Sequence, residues 1–155
     1  MIRKIILLYL IILQCDHRHV CTNALSSIPP LSANVDIDNK ARLQKALTGK
    51  MILAPLTKGG NLPFRRLCAD FGAKVSMSEM IYARSLLKGD PVEKARLRRC
   101  PNEETYGVQI ATNQIDEGVA AMKMAHRNGA DFVDLNCGCP IYEATRRGLG
   151  SSLLR

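Results

Sequence analysis

The stretch FVDLNCGCP, residues 132–140, places a cysteine directly behind a short apolar run. Residues 132–136 have the length and apolar character of a buried strand, and Gly138 permits a tight turn before Cys139. Pro140 fixes the backbone on the other side of that cysteine. Parallel α/β enzymes keep their chemistry at the C-terminal ends of their strands. The stretch therefore predicts a parallel sheet with a rigid cysteine at its functional edge.

The preceding eighty residues repeat a strand-then-helix pattern at intervals of roughly 30 residues, which predicts parallel strands joined by right-handed crossovers. Glycines mark the predicted helix ends, and Asn61 and Pro63 mark a predicted helix start. Periodicity alone does not distinguish an open doubly wound sheet from a closed barrel. Strands are predicted at residues 51–54, 74–77, 106–110 and 132–136, and helices at 39–47, 61–72, 84–99 (basic, broken at Gly89 and Pro91) and 114–128.

The charge balance favours an acidic partner. The chain of 155 residues has 22 Lys and Arg against 14 Asp and Glu, a formal net charge of +8. Residues 84–99 concentrate six basic side chains against two acidic ones. Such a cluster is typical either of a surface that binds nucleic acid or of a solvated helix face.

The six cysteines have no zinc-type spacing, so no metal site is predicted. At the N-terminus, Arg3 and Lys4 precede an apolar run at residues 5–13, which has the layout of a secretory signal. Nine apolar residues are too few to cross a bilayer, which takes about 20. An organelle presequence and a mispredicted first exon are the alternatives. Residues 26–34 indicate a linker, so residues 1–49 are interpreted as an N-terminal extension.

Four stretches together carry a family resemblance: residues 53–66 (LAPLTKGGNLPFRR), the pair Glu79 and Met80, residues 107–109 (GVQ), and residues 136–140 (NCGCP). In order and separation they resemble the tRNA-dihydrouridine synthase family, flavoenzymes that reduce the C5=C6 bond of uridine in tRNA. The resemblance covers residues 50–155. It implies an α/β fold, namely about the first four βα units of an FMN-binding TIM (β/α)8 barrel. A complete barrel takes roughly 250 residues, so we expect an N-terminal fragment or truncated product.

The resemblance also implies cofactor contacts. It places Pro55, Leu56 and Thr57 against the flavin ring of FMN, with NADPH as the electron donor, and it places Gln109 at the ring edge. The residues alone leave other interpretations open: an ordinary strand-to-helix turn for the loop, and a hydrogen-bonded core amide for Gln109. Glu79 is interpreted either as a contact to flavin or substrate or as a helix cap.

For the substrate, the resemblance implies that Asn136 binds the uracil edge and that Arg146 and Arg147 lie beside the tRNA. It makes Cys139 the proton donor to uracil C5, a role that suits a thiol with an ordinary pKa of about 8.5. Cys137 is the rival thiol and is interpreted as a packing residue. An inert buried thiol is the other interpretation for either cysteine.

The sequence leaves two other functions open. One is another FMN barrel oxidoreductase of the dihydroorotate type, and the other is a non-catalytic fragment. We expect a monomer without stable membrane association, located in the cytoplasm or an organelle.

Overall fold

A computed structural model of the chain describes residues 33–154. The signal-like segment and most of the predicted linker lie outside the described residues. The last two residues of that linker, Ala33 and Asn34, instead begin helix α1. The elements in chain order are α1 (Ala33–Leu47), β1 (Ile52–Leu53), α2 (Leu62–Asp70), β2 (Val75–Met77), β3 (Ile81–Tyr82), α3 (Ala83–Leu87), α4 (Pro91–Arg96), β4 (Thr105–Ala111), α5 (Ile115–Arg127), β5 (Phe132–Leu135), α6 (Tyr142–Thr145) and a 3-10 helix, Gly150–Leu154.

The strands form one parallel sheet. Strand β1 pairs with β2, β2 and β3 both pair with β4, and β5 also pairs with β4. Since β5 overlaps the pairing ranges of both β2 and β3, these two short strands share the opposite edge of β4. The spatial order β1, β2 with β3, β4, β5 therefore follows the chain order. This arrangement confirms the predicted α/β fold of a partial TIM barrel with four βα units.

Strand β3 was not predicted from the sequence. Met77 lies opposite Gly107 and Ile81 opposite Ile110, so the three residues 78–80 on one strand face two on β4. This is a β-bulge, in which the extra residue breaks the ladder locally. Ser78 repairs the break, because its hydroxyl oxygen accepts the Gln109 backbone N–H at 3.1 Å. The bulge contains Glu79, whose carboxylate accepts a hydrogen bond from the loop after β1.

Local sequence chemistry sets the helix ends. The side chain of Asn61 accepts the Phe64 N–H at 3.1 Å, and Pro63 lies in the first turn of α2. The chain leaves the helix through Gly72 at a φ of +95°, a left-handed conformation that favours glycine. The predicted helix over residues 61–72 is thus confirmed in its interior and its cap. Among residues 33–154, no helix has both the length and the apolar character needed to cross a membrane.

The core lies between the sheet and its helices. Tyr106, Val108 and Ile110 face α3 and α5, where Leu86 and Ala121 are fully buried. Because side chains alternate along a strand, Gly107 and Gln109 face the opposite side, which is the interior of the barrel.

A buried ion pair fixes α2 to the sheet. Arg65 donates to Glu103 at 2.8 Å, with side-chain exposures of 1% and 0%. The same guanidinium donates to the carbonyls of Gly60 and Arg98 and lies 4.9 Å from the centre of the Tyr106 ring. A buried charge pair requires such additional hydrogen bonds to offset its desolvation. The position of α2, and of the loop that precedes it, depends on this cluster.

We expect Gly107→Ala to destabilise the protein by about 1–3 kcal/mol, the usual cost of overpacking. A Cβ at position 107 would lie within 2.9 Å of three ring atoms of Phe132, its partner on β5. Urea denaturation followed by circular dichroism measures the effect. The double variant Gly107→Ala/Phe132→Leu lacks those ring atoms and should recover part of the loss; a double variant as unstable as the sum of both single changes would contradict this account.

Candidate active site

The site forms at the C-terminal edge of the sheet, from four segments that lie at or beyond the ends of its strands. These segments are the loop after β1, the bulge between β2 and β3, the C-terminal half of β4 and the loop after β5. Parallel strands bring all of them to one edge because every strand runs in the same direction. The structure therefore places the sequence-predicted residues, from 55 to 147, at this same edge of the sheet.

The loop after β5 is held through both backbone groups of Cys139. Its N–H donates to the Asn136 side-chain oxygen at 2.9 Å, and its carbonyl accepts the Ser151 N–H at 2.9 Å. The backbone N–H of Asn136 in turn donates to the carbonyl of Ile110 at 2.8 Å, which continues the β4–β5 ladder. Cys139 itself is half-buried and packs against an apolar cluster below the loop, formed by Met80, Ala111, Ala144 and Leu149. The rigid, partly exposed cysteine is thus positioned by two neighbouring strands.

Gln109 uses both ends of its amide in contacts within the protein. Its Nε2 donates to the carboxylate of Asp134 at 2.7 Å, and its Oε1 accepts from Nδ2 of Asn136 at 2.8 Å. These two contacts are those expected of a hydrogen-bonded core amide. The amide retains one N–H and one lone pair beyond them, so its role at the flavin stays a prediction.

Glu79 holds the loop that contains Pro55, Leu56 and Thr57. Its carboxylate accepts the backbone N–H of Lys58 at 2.8 Å, and Lys58 has a φ of +61°. The loop closes on itself, because the N–H groups of Gly59 and Gly60 donate to the Leu56 carbonyl at 3.1 and 2.6 Å.

Glu79 is 7% exposed, and Arg96 lies 3.8 Å from the same carboxylate oxygen. Its described contacts are therefore those of an anchor between the β-bulge and the first loop, and they include no helix cap. An acidic residue two positions after the predicted second strand was the only sequence signal for this contact.

The predicted tRNA-contacting arginines lie on the surface after α6. Arg146 and Arg147 both form ion pairs with Glu143, and Arg147 lies 5.0 Å from the centre of the Tyr82 ring. Hydrogen bonding from Arg146, together with both positive charges, lowers the pKa of Glu143. The pair therefore keeps one positive charge in excess.

The basic cluster at residues 84–99 is more heavily paired than its sequence implies. Three of its six basic side chains have acidic partners: Arg84 pairs with Glu117, Arg96 with Glu93, and Arg99 with Asp131. The cluster is also divided between α3, α4 and the turn that follows. Its capacity to bind an acidic partner is correspondingly smaller than the residue count indicates.

The two cysteines of the loop differ in environment. Burial raises the pKa of Cys137, and the negative charge of Asp134 raises it further. Since only the thiolate is strongly nucleophilic, Cys137 is less reactive at neutral pH than an ordinary thiol. This environment suits the packing role that the sequence analysis assigned to it.

Comparison with known proteins identifies the family. The model of the dihydrouridine synthase (Dus) family matches residues 52–155. The chain belongs to the dihydrouridine synthase family. It is 46% identical over 109 residues to the tRNA-dihydrouridine(47) synthase [NAD(P)(+)] of Coprinopsis cinerea, covering 68% of this chain and 16% of that protein.

Two further relatives have similar names. The chain is 43% identical over 126 residues to the tRNA-dihydrouridine(47) synthase [NAD(P)(+)] of Malassezia globosa, covering 79% of this chain and 16% of that protein. It is 43% identical over 109 residues to the tRNA-dihydrouridine(47) synthase [NAD(P)(+)]-like protein of Mus musculus, covering 70% and 17%. The chain thus spans about a sixth of the length of these relatives. The resemblance inferred from the sequence is confirmed.

In this Dus chain we expect Gly150→Ala to disrupt the Cys139 loop. The residue has a φ of +61°, and an added Cβ would lie within 3.2 Å of both the carbonyl carbon and the Cβ of Cys139. We expect a loss of about 1–3 kcal/mol in unfolding free energy, measured by urea denaturation. Gly138→Ala is the matched control in the same loop, since a Cβ there meets nothing within 4 Å. Equal destabilisation by both changes would argue against the proposed packing.

Proposed function

We propose that this chain provides part of the active site of an FMN-dependent enzyme that reduces the C5=C6 bond of a uridine in tRNA. The observation that supports it best is the linked arrangement of Gln109, Asn136 and the Cys139 loop at the C-terminal edge, in a member of the dihydrouridine synthase family. The relatives' names give position 47 of tRNA and NAD(P). We extend both to this protein, with NADPH as the donor, and propose that it acts as a monomer.

The residues present fit FMN. Gln109 keeps one N–H and one lone pair beyond its protein contacts, and an isoalloxazine edge offers partners for both. The loop of Pro55, Leu56 and Thr57 is held in one shape by Glu79, and Leu56 exposes 52% of its surface, which provides an apolar contact. When bound, FMN supplies the hydride for uracil C6 after reduction by NADPH.

Asn136 orients the base in this proposal. Its oxygen already accepts the N–H groups of Gly138 and Cys139, at 3.3 and 2.9 Å, and its Nδ2 donates one N–H to Gln109. The group left for substrate is its second N–H, which suits a uracil carbonyl oxygen. Asn136 therefore offers the substrate a hydrogen-bond donor alone, whereas an asparagine side chain can in general offer both a donor and an acceptor.

Cys139 supplies the proton that completes the saturated ring. After C6 receives its hydride, the electron pair at C5 takes the proton from the Sγ of Cys139, which leaves a thiolate. The apolar cluster around Cys139 excludes water from one side of the thiol. The exposed pair Arg146 and Arg147 provides a positive surface for the tRNA backbone, to which arginine binds in bidentate fashion.

Cys139→Ala tests the assigned proton donor. In the enzyme with its complete barrel, we expect NADPH-driven flavin reduction to persist while dihydrouridine formation slows by roughly 10²–10⁴-fold, the range for a lost general acid. Stopped-flow absorbance measures the first step, and mass spectrometry of digested tRNA measures the second. Cys137→Ala removes a thiol from the same loop and should retain activity. Equal losses in the two variants, or a loss in Cys137→Ala alone, would contradict the assignment.

Gln109→Leu tests the cofactor contact. Replacing the amide by an apolar side chain of similar size should weaken FMN retention by the equivalent of about 1–3 kcal/mol, because a flavin hydrogen bond is lost. Flavin content per purified protein and FMN titration measure the change. Gln114→Leu is the control, since Gln114 is exposed at the start of α5. Unchanged FMN affinity in Gln109→Leu would exclude the proposed contact.

A further inference from the structure

A chain of hydrogen bonds connects the barrel interior to the Cys139 loop. It begins at Asp134 on β5, which lies directly opposite Gln109 on β4. The Asp134 carboxylate accepts from Gln109 Nε2 at 2.7 Å, and Gln109 Oε1 accepts from Asn136 Nδ2 at 2.8 Å. Asn136 Oδ1 then accepts the backbone N–H of Cys139 at 2.9 Å. Two amide side chains thus connect the Asp134 carboxylate to the backbone of the loop.

The two ends of this series of hydrogen bonds determine which group of each amide donates and which accepts. A primary amide turned through 180° exchanges its donor and its acceptor, so an isolated pair of amides has no fixed polarity. An ionised carboxylate only accepts, which forces Gln109 to point its NH₂ at Asp134. A backbone N–H only donates, which forces Asn136 to point its oxygen at Cys139. Both ends require the same polarity, so the two amides are held in one orientation.

Asp134 also forms the strongest bond of the series. Hydrogen bonds to an ionised acceptor are about twice as strong as bonds between neutral groups. Without that acceptor, Gln109 would be ordered by Asn136 alone, and Asn136 by Gln109 and the loop. The N–H and lone pair of Gln109 that remain available to a ligand would then be held by one hydrogen bond instead of two.

We propose that Asp134 is a positioning residue for uridine reduction. By accepting from Gln109 it fixes the orientation of both amides, and through Asn136 it fixes the backbone of the loop that carries Cys139. This inference rests on the proposed function for the reaction it serves. The hydrogen-bond chain itself does not depend on the bound cofactor, so the loop can be examined without flavin.

Two substitutions separate the acceptor from the charge. Asp134→Leu removes the acceptor, while Asp134→Asn keeps an acceptor oxygen of the same size without the charge. We expect Asp134→Leu to lower kcat for dihydrouridine formation by about 10²-fold, the cost of a small misplacement of reacting groups, with NADPH-driven flavin reduction less affected. Asp134→Asn should restore kcat to within about 10-fold of the parent enzyme.

Hydrogen exchange of the Gly138 and Cys139 amides supplies a readout that does not involve turnover. Losing a net hydrogen bond changes an opening equilibrium by roughly 2–10-fold, so exchange at these two amides should accelerate in Asp134→Leu by about that factor, and by less in Asp134→Asn. Amides in α5 should be unchanged.

Asp131→Asn is the matched control from the other end of β5. Asp131 accepts the Tyr106 N–H at 2.9 Å and pairs with Arg99 at 3.1 Å, but it has no contact with the amide series. This variant should lose thermal stability while keeping kcat and the exchange rates of the Cys139 loop.

The outcomes distinguish the possible failures. Parent-like kcat and exchange in Asp134→Leu would overturn the positioning role. Asp134→Asn behaving as badly as Asp134→Leu would also overturn it, because the Cys139 end still orients Gln109 so that the amide oxygen introduced by Asp134→Asn can accept from it. If Asp134→Leu does not fold, Asp134→Ala removes the same acceptor with a smaller side chain. Faster loop exchange in Asp134→Ala than in Asp131→Asn then supports the proposal, and equal exchange overturns it. A parent enzyme that makes no dihydrouridine would refute the proposed function while leaving the exchange result interpretable.

Discussion

The parallel pairing of β4 on both of its edges is the constraint from which the site follows. All seven residues of Thr105–Ala111 are buried, and the strand pairs with β2 and β3 on one edge and β5 on the other. A buried strand with neighbours on both edges has its register fixed by ladder hydrogen bonds and by side-chain alternation. Gln109 therefore has one position relative to Asp134, and the loop after β5 has one starting point.

The β-bulge at residues 78–80 converts this register into a site. In a regular ladder, side chains would alternate without interruption from β2 into β3. The extra residue of the bulge breaks this alternation. The extra residue directs Glu79 to the N–H of Lys58, so the loop after β1 is tied to the second strand of the sheet. Bulges are common beside active sites because they redirect a side chain in this way.

Features with a local cause could be predicted from the sequence, and features set by tertiary pairing could not. Asn61 and Gly72 signal a helix cap and a helix end through their own chemistry, and three of the four residues of β5 are apolar. Strand β3 has only two residues, too few to show any period, and it exists because β4 offers an edge. Parallel topology was enough to predict that Gln109, Asn136 and Cys139 lie at one edge of the sheet. Their mutual hydrogen bonds could not be predicted without the strand register. The contact from Glu79 to Lys58 depends on the bulge, which has no sequence signature here.

The polar groups on the interior face of β4 and β5 are difficult to explain by stability alone. Apolar residues at positions 109 and 134 would bury well, and a buried polar network contributes favourably only when all of its members are satisfied. Here the network is satisfied with half of the Gln109 amide to spare, since Asp134 and Asn136 each take one of its groups. The spare N–H and lone pair are the groups that the proposed contact with FMN uses. The same bonds that satisfy the network also hold the Cys139 backbone, so in the proposed function flavin binding and placement of the thiol depend on one set of contacts.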